Sequence, residues 1–237
     1  PIDIVLDSLN LAYTTFIYGD DKDGNQVELA KISRGANRIP VSIDRIPQHV
    51  RDAFVYIEDE RFYEHAGVDW KRTFGAFLNE LTHGMLYGSK QGGSTITQQL
   101  VKNVTGDKEQ NMDRKMREIF RAADLEKYRT KDEILDAYLN CVGMGGSCSG
   151  VQAAALKYFG KDVSELDLAE AACLAAIPKS PESLNPFANK EANRERQLLV
   201  LKAMYNNAAI SKQQYDDAVN EELQFRDPNS ETNSSEI

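Results

Sequence analysis

"GGSTITQQLVKN", residues 92–103, sets a row of hydroxyls, carboxamides and one ammonium behind two glycines. Gly92 and Gly93 permit a tight turn, and Thr95 followed by Gln98 has the spacing of a capping box, in which two side chains satisfy the free N–H groups of a first helical turn. A helix is therefore expected to begin here. At 3.6 residues per turn Thr95, Gln98, Gln99 and Lys102 share one stripe, and Ile96, Leu100, Val101 and Val104 are left for packing. A helix N-terminus behind glycines, with a lysine two turns along, reads as a seat for an anion or a sugar phosphate. It reads equally as an ordinary amphipathic surface helix.

Working outward, the chain before this stretch opens differently. Residues 11–32, "LAYTTFIYGDDKDGNQVELAKI", hold two apolar-aromatic runs around a Gly-Asp turn, a hairpin signal. Residues 1–45 are therefore read as a β-rich lead-in. Helix starts are expected near Pro47, Trp70, Thr95, Met112, Lys131, Gly150, Asp167, Asn189 and Ser211, several behind Asp, Ser or Thr. The polar tail at 226–237, "RDPNSETNSSEI", reads as a linker or the fringe of something that follows. The fold class expected is mainly α with a small extended segment.

The formal net charge of the 237 residues is -9, which argues against nucleic acid as the partner, since affinity for phosphate backbones is largely cationic. Basic residues nonetheless gather between Lys102 and Lys131. No apolar run reaches the roughly 18 to 20 residues of a membrane span, so any anchor is expected upstream of Pro1. Of the three cysteines, Cys173 lies in the small-residue run "AEAACLAAIP" and reads as a buried hydrophobe. A Cys141–Cys148 disulfide is expected only outside the cytosol.

Two carboxylates stand out. In "EDERFYEHAGVD", residues 58–69, Glu58 is expected beside the apolar Phe54, Ile57 and Phe62, where desolvation raises a carboxyl toward the range of a general acid or base. The same residues also read as a plain acidic helix end, with His65 structural. In "DRKMREIFRAADLEKY", residues 113–128, Met116, Ile119, Phe120 and Ala123 form an apolar stripe with the preceding Met112. Glu118 has cations at i-4, i-1 and i+3, which favour its ionised form. A solvated salt-bridge face is the competing reading.

Taken together, "EDERFYEHAGVD", "GGSTITQQLVKN", "RKMREIFRAADLE", "KDEILDAYLN" and the stretch from Gly150 to Pro186 resemble, in order, the motifs of glycosyltransferase family 51. These are peptidoglycan glycosyltransferases, found as the polymerising domain of class A penicillin-binding proteins and as monofunctional transglycosylases. The resemblance runs over about residues 50–210. It implies a lysozyme-like, two-lobed helical domain over residues 46–225. The implied activity joins a growing lipid-linked glycan to the 4-hydroxyl of lipid II, inverting the anomeric carbon and releasing polyprenyl diphosphate.

On that resemblance Glu58 is the base. Glu118 is a second carboxylate that orders cations or holds a divalent metal, magnesium or manganese, at the diphosphate. Lys102, Arg114, Lys115 and Arg117 supply positive charge. Ser94, Gln98 and Gln99, with Asp59, Phe62 and Asn103, contact substrate. The resemblance further implies a membrane interface met by Phe74, Phe77, Leu78 and Leu81, sensitivity to the phosphoglycolipid moenomycin, and a place on the extracytoplasmic face of the bacterial cytoplasmic membrane. A parent carrying a transpeptidase domain is expected. One departure stands out: the family pattern has an arginine four residues before the Arg114–Lys115 pair, where this chain has Gln110, and either Lys108 or a divalent metal held near Glu118 is expected to compensate, Lys108 being the preferred reading. The alternatives are a lysozyme-like hydrolase or lytic transglycosylase, or a non-catalytic glycan-binding scaffold. A hydrolase has no use for a cationic diphosphate seat.

Overall fold

Local capping chemistry starts most of the helices. In the computed structural model, residues 14–20, 26–33, 37–73, 75, 93–105 and 112–227 are described. α1 (Gln48–Glu58) begins behind Pro47, and helical backbone starts at Trp70, with residues 70–73 and 75 helical. α2 (Ile96–Thr105) starts at the Thr95–Gln98 box: Gln98 N–H donates to Thr95 Oγ1 at 3.1 Å and Thr95 N–H to Gln98 Oε1 at 2.8 Å. α3 spans Met112–Leu125. α4 (Lys131–Cys141) has a Thr130–Glu133 box, α6 (Leu168–Ala176) an Asp167–Glu170 box, and α9 (Lys212–Asn220) a Ser211–Gln214 box. α8 (Lys190–Asn206) is capped by Asn189. α5 (Val151–Phe159) follows Gly150 and stops at Gly160, whose φ of 68° is left-handed. The four-residue α7 (Pro181–Leu184) carried no periodicity long enough to be anticipated. All nine expected helix starts are present, and the mainly α class is what the chain adopts.

The small-residue run becomes the centre of the core. Ala169 through Ala176 of α6 are all buried. Alanines and Cys173 let neighbouring backbones come close, so α1 and α8 pack on α6 from two sides. A second group forms where α2 lies against α3 and α4. Phe54, Phe62, Leu100, Tyr138 and Leu174 are fully buried between these layers. Asn140 ties the approach segment to α4, accepting from Val41 N–H and donating to Val41 O, each at 2.8 Å.

The predicted hairpin is present as β1 (Thr14–Asp20) antiparallel to β2 (Gln26–Ser33), with an irregularity between Ile17 and Tyr18. Sequence did not announce the parallel pair of β3 (Asn37–Arg38) and β4 (Cys148–Ser149), because two-residue strands have no period. β4 also turns back on the end of α4: Met144 N–H donates to Cys148 O and Gly150 N–H to Val142 O. In that register Cys148 faces Met144, so Cys141 lies three residues beyond Cys148's partner. That offset is on the order of 10 Å along an extended chain, against roughly 5.5–6 Å between bonded cysteines. Cys141, Cys148 and Cys173 are accordingly buried thiols, none of them in a disulfide.

The apolar stripe of α3 needs correcting. Its buried face is Glu118, Ile119, Ala122 and Leu125, whereas Met116 and Phe120 are 46% and 65% exposed. The side chain of Met112 lies outside the described residues.

Candidate active site

Glu58 is the last residue of α1, and its carboxylate is gripped from two other helices. Gln99 Nε2, from α2, donates to Oε2 at 2.8 Å. Arg196 Nη2, from α8, stands 3.2 Å from Oε1. The Glu58 carbonyl accepts from Arg72 Nη1 at 2.8 Å. The apolar setting expected around this carboxylate is therefore not what it meets. Phe54 and Phe62 turn fully into the core, and the side chain, 12% exposed, ends between an amide and a guanidinium.

Asp59, its neighbour, does something different. It is fully buried, and Oδ2 accepts from the first N–H of α2, Ile96, at 2.9 Å. His65 Nε2 lies 3.0 Å from both oxygens. The positive end of the α2 dipole is thus filled by the protein's own carboxylate, so the anion seat expected at this N-terminus is taken. Thr95 Oγ1 adds a bond to Gly67 O at 2.7 Å. Gly67 is itself obligatory, because its φ is +82° and a Cβ there would lie 2.3 Å from Ala122 O. Through these contacts the loop after α1 is clamped between α2 and α3.

The third component is α3. Glu118 is 5% exposed, with Arg114 Nη1 on Oε2 at 2.6 Å and Lys115 Nζ on Oε1. Lys115, at i-3, thus joins the cations at i-4, i-1 and i+3 around Glu118. Lys115 Nζ also donates to Ser94 Oγ at 2.9 Å, joining α3 to the glycine loop. Glu118 is a holder of cations in this geometry. The described residues do not fit a metal there: each oxygen already has a cationic partner, and no group of three His, Cys, Asp or Glu side chains that could hold a metal occurs among the described residues.

Of the residues expected to touch substrate, three are placed elsewhere. Asp59 has both oxygens engaged in the interior. Phe62 is core, with the Lys131 ammonium 4.4 Å above its ring. Gln98 is fully buried as the capping partner, its Nε2 without a partner among the described residues. Each was polar or aromatic in a motif, and residue type alone does not separate a buried support from a contact. Ser94, Gln99, Arg114 and Lys115 remain partly accessible, and Lys102, Asn103 and Arg117 are exposed. Asn103 hydrogen-bonds the Cys141 thiol, which burial pushes up to about 11. Lys108, Gln110, Phe74, Phe77, Leu78 and Leu81 lie outside the described residues. Sequence reading missed Arg196 altogether: it is one of four basic residues on a half-exposed helix, beside the buried Gln197, and nothing in the local pattern sets it apart.

A family model described as Transglycosylase matches residues 25–205. Penicillin-binding protein 1A of Clostridium perfringens (strain 13 / Type A) is 43% identical over 210 residues, covering 85% of this chain and 30% of that protein. Penicillin-binding protein 1A of Aquifex aeolicus (strain VF5) is 44% identical over 192 residues, 81% and 26% respectively. The crystal structure of penicillin-binding protein 1A from Haemophilus influenzae superposes with a TM-score of 0.52 at 26% identity, over 90% of this chain and 21% of that one. The chain thus spans less than a third of the length of the proteins it matches. The hydrolase and scaffold alternatives are not favoured by these relatives. The chain belongs to the transglycosylase family, as a peptidoglycan glycosyltransferase domain.

Proposed function

We propose that this glycosyltransferase polymerises lipid II, with Glu58 as general base. The 4-hydroxyl of a lipid II acceptor gives its proton to Glu58. Its oxygen then attacks the anomeric carbon of the growing lipid-linked glycan from the face opposite the diphosphate, the carbon–phosphate oxygen bond breaks, and polyprenyl diphosphate departs. A diphosphate leaving group needs fixed positive charge more than a proton donor, and the cations of α3 with Lys102 of α2 are suited to that task. Glu118 keeps Arg114 and Lys115 in place, so their orientation need not be found anew at each turnover.

One observation carries the reading: a carboxylate accessible at 12% is held by Gln99 and Arg196, and the helix that supplies Gln99 continues to Lys102. The partly accessible Ser94, bonded to Lys115, is a natural donor and acceptor for sugar or phosphate oxygens. A divalent cation, if the reaction uses one, would draw its ligands chiefly from substrate phosphates, as magnesium commonly does.

The membrane interface belongs to the same proposal. Met116 and Phe120 stand exposed on α3 beside the exposed Arg117, and an apolar pair flanked by basic charge suits the edge of an anionic bilayer. Among the described residues no helix is long and apolar enough to cross a membrane. A location on the extracytoplasmic face and a transpeptidase domain in a longer parent follow from the same reading, since the relatives are named penicillin-binding proteins and are more than three times as long as the matched region. Incubating the chain with lipid II in detergent or vesicles tests the proposal. Glycan strands and free polyprenyl diphosphate are expected; intact lipid II at the end of the incubation would overturn it.

A further inference from the structure

We propose that Tyr138 is a positioning residue for the base, its buried hydroxyl fixing the Gln99 carboxamide with the NH2 end toward Glu58. The inference rests on the assignment of Glu58 as base.

Tyr138 comes from the last turn of α4 and is fully buried. Its hydroxyl lies 3.3 Å from Gln99 Oε1, and Gln99 Nε2 lies 2.8 Å from Glu58 Oε2. A carboxamide has one accepting and one donating end of nearly equal size, so shape does not decide which way it points; its partners do. An ionised carboxylate only accepts, and requires the NH2. The amide oxygen is then left facing the phenol, which must donate. Burial, followed by the charges of Glu58, Cys141 and Asp59, holds the Tyr138 proton well above the ordinary tyrosine range against the opposing charge of Arg196. The hydroxyl is thus a donor throughout the working pH.

The arrangement has a consequence during turnover. Once Glu58 has taken a proton, its carboxyl can donate, and an inverted Gln99 would welcome it by offering the amide oxygen. Inversion would turn the NH2 toward Tyr138 and leave the phenol proton without an acceptor in a site where burial makes that costly. Tyr138 therefore opposes the inverted state and favours return of Glu58 to the form that accepts a proton from the next acceptor. It touches neither sugar nor phosphate and acts only through Gln99.

The test measures steady-state lipid II polymerisation by the full chain and by Tyr138→Phe, Gln99→Ala, the double variant and Glu58→Gln. Tyr138→Phe keeps the ring and its packing and removes one oxygen. A drop in kcat of about tenfold with KM within about twofold is expected, in line with the cost of loosening a catalytic group. In the Gln99→Ala background the same substitution should change kcat by less than about twofold, since the route of action is already gone. An equal drop in both backgrounds would assign the loss to folding or packing and overturn the inference. So would wild-type kcat for Tyr138→Phe with Glu58→Gln inactive, and that outcome leaves the base intact. Polymerisation by Glu58→Gln at the wild-type rate would remove the base itself, and the inference with it.

Discussion

Arg196 holds a guanidinium nitrogen 3.2 Å from Glu58 Oε1 across 138 positions of sequence, while its Nε is fixed by Ala176 O at 3.2 Å. The guanidinium is planar and forked, so one side chain reaches the α6 terminus and the carboxylate at once; a lysine has a single nitrogen and cannot do both. α8 thereby reaches the carboxylate of α1, on the oxygen opposite the one Gln99 holds.

Arg196→Ala should leave Glu58 with a mostly buried, unpaired charge. We expect a loss of about 3 kcal/mol in stability, seen as a fall in melting temperature of roughly 6–12 °C for a chain of this size. Polymerisation should fall by about tenfold or more as the base loses its orientation. Adding Glu58→Gln to Arg196→Ala should recover most of the melting temperature and none of the activity. A melting temperature that stays low in the double variant would show that Arg196 matters through Ala176 alone.

The cationic surface is tested by binding. Lys102→Ala and Arg117→Ala should each weaken the affinity for moenomycin by about tenfold, because a phosphate loses a charge-assisted partner. The loss should shrink as salt rises. Titration calorimetry giving unchanged affinity for both variants would reduce that face to solvated surface.

Acid sensitivity of the loop after α1 follows from Asp69. Burial raises its carboxyl, but the Arg72 N–H bond at 3.0 Å and the Arg61 guanidinium, 2.7 Å from each oxygen, outweigh it, and the net shift is below the ordinary 3.8. A depressed carboxyl contributes stability above its unfolded value and loses it as pH falls through the folded one. Asp69→Asn should therefore melt lower than wild type at pH 7, by about 2 kcal/mol or roughly 4–8 °C. The gap should close as the pH falls below 3.8. A gap of constant size in acid would mean that Asp69 acts through packing.

The cysteines should be silent in the native state. Burial pushes the Cys141 thiol up to about 11 and Cys173 higher still, so little thiolate is available at neutral pH. Iodoacetamide at pH 8 should leave native protein unmodified and add to Cys141, Cys148 and Cys173 in denaturant. A mass two units lighter without reductant, with two thiols unreactive in denaturant, would establish a disulfide instead.

Where a structural feature is local, the residues announced it. Thr95 and Gln98 are three apart, as are Thr130 and Glu133, Asp167 and Glu170, and Ser211 and Gln214, and each pair closes its own helix start whatever the rest of the chain does. The site was legible in part for the same reason: Arg114, Lys115 and Glu118 share one helical turn. Glu58 with Arg196, Asp59 with Ile96, and Tyr138 with Gln99 join different helices, and no periodicity encodes them. Gln98 and Gln99 show the limit most sharply. Adjacent and identical in type, they are separated by 100° of helix, which sends one into the core as a cap and the other to Glu58.

The most direct measurement is the rate of lipid II polymerisation by Glu58→Gln. The amide keeps the size of the carboxylate but offers one acceptor where Gln99 and Arg196 both donate, and it cannot take the acceptor's proton. Loss of general-base help is worth about 10² to 10⁴ in rate. The account predicts polymer formation reduced by at least about a hundredfold, in a variant that still unfolds cooperatively, at a lower temperature because Arg196 has lost its partner, and that keeps its moenomycin affinity nearly unchanged. Polymer formed within about tenfold of the wild-type rate would contradict it and assign the proton to another group.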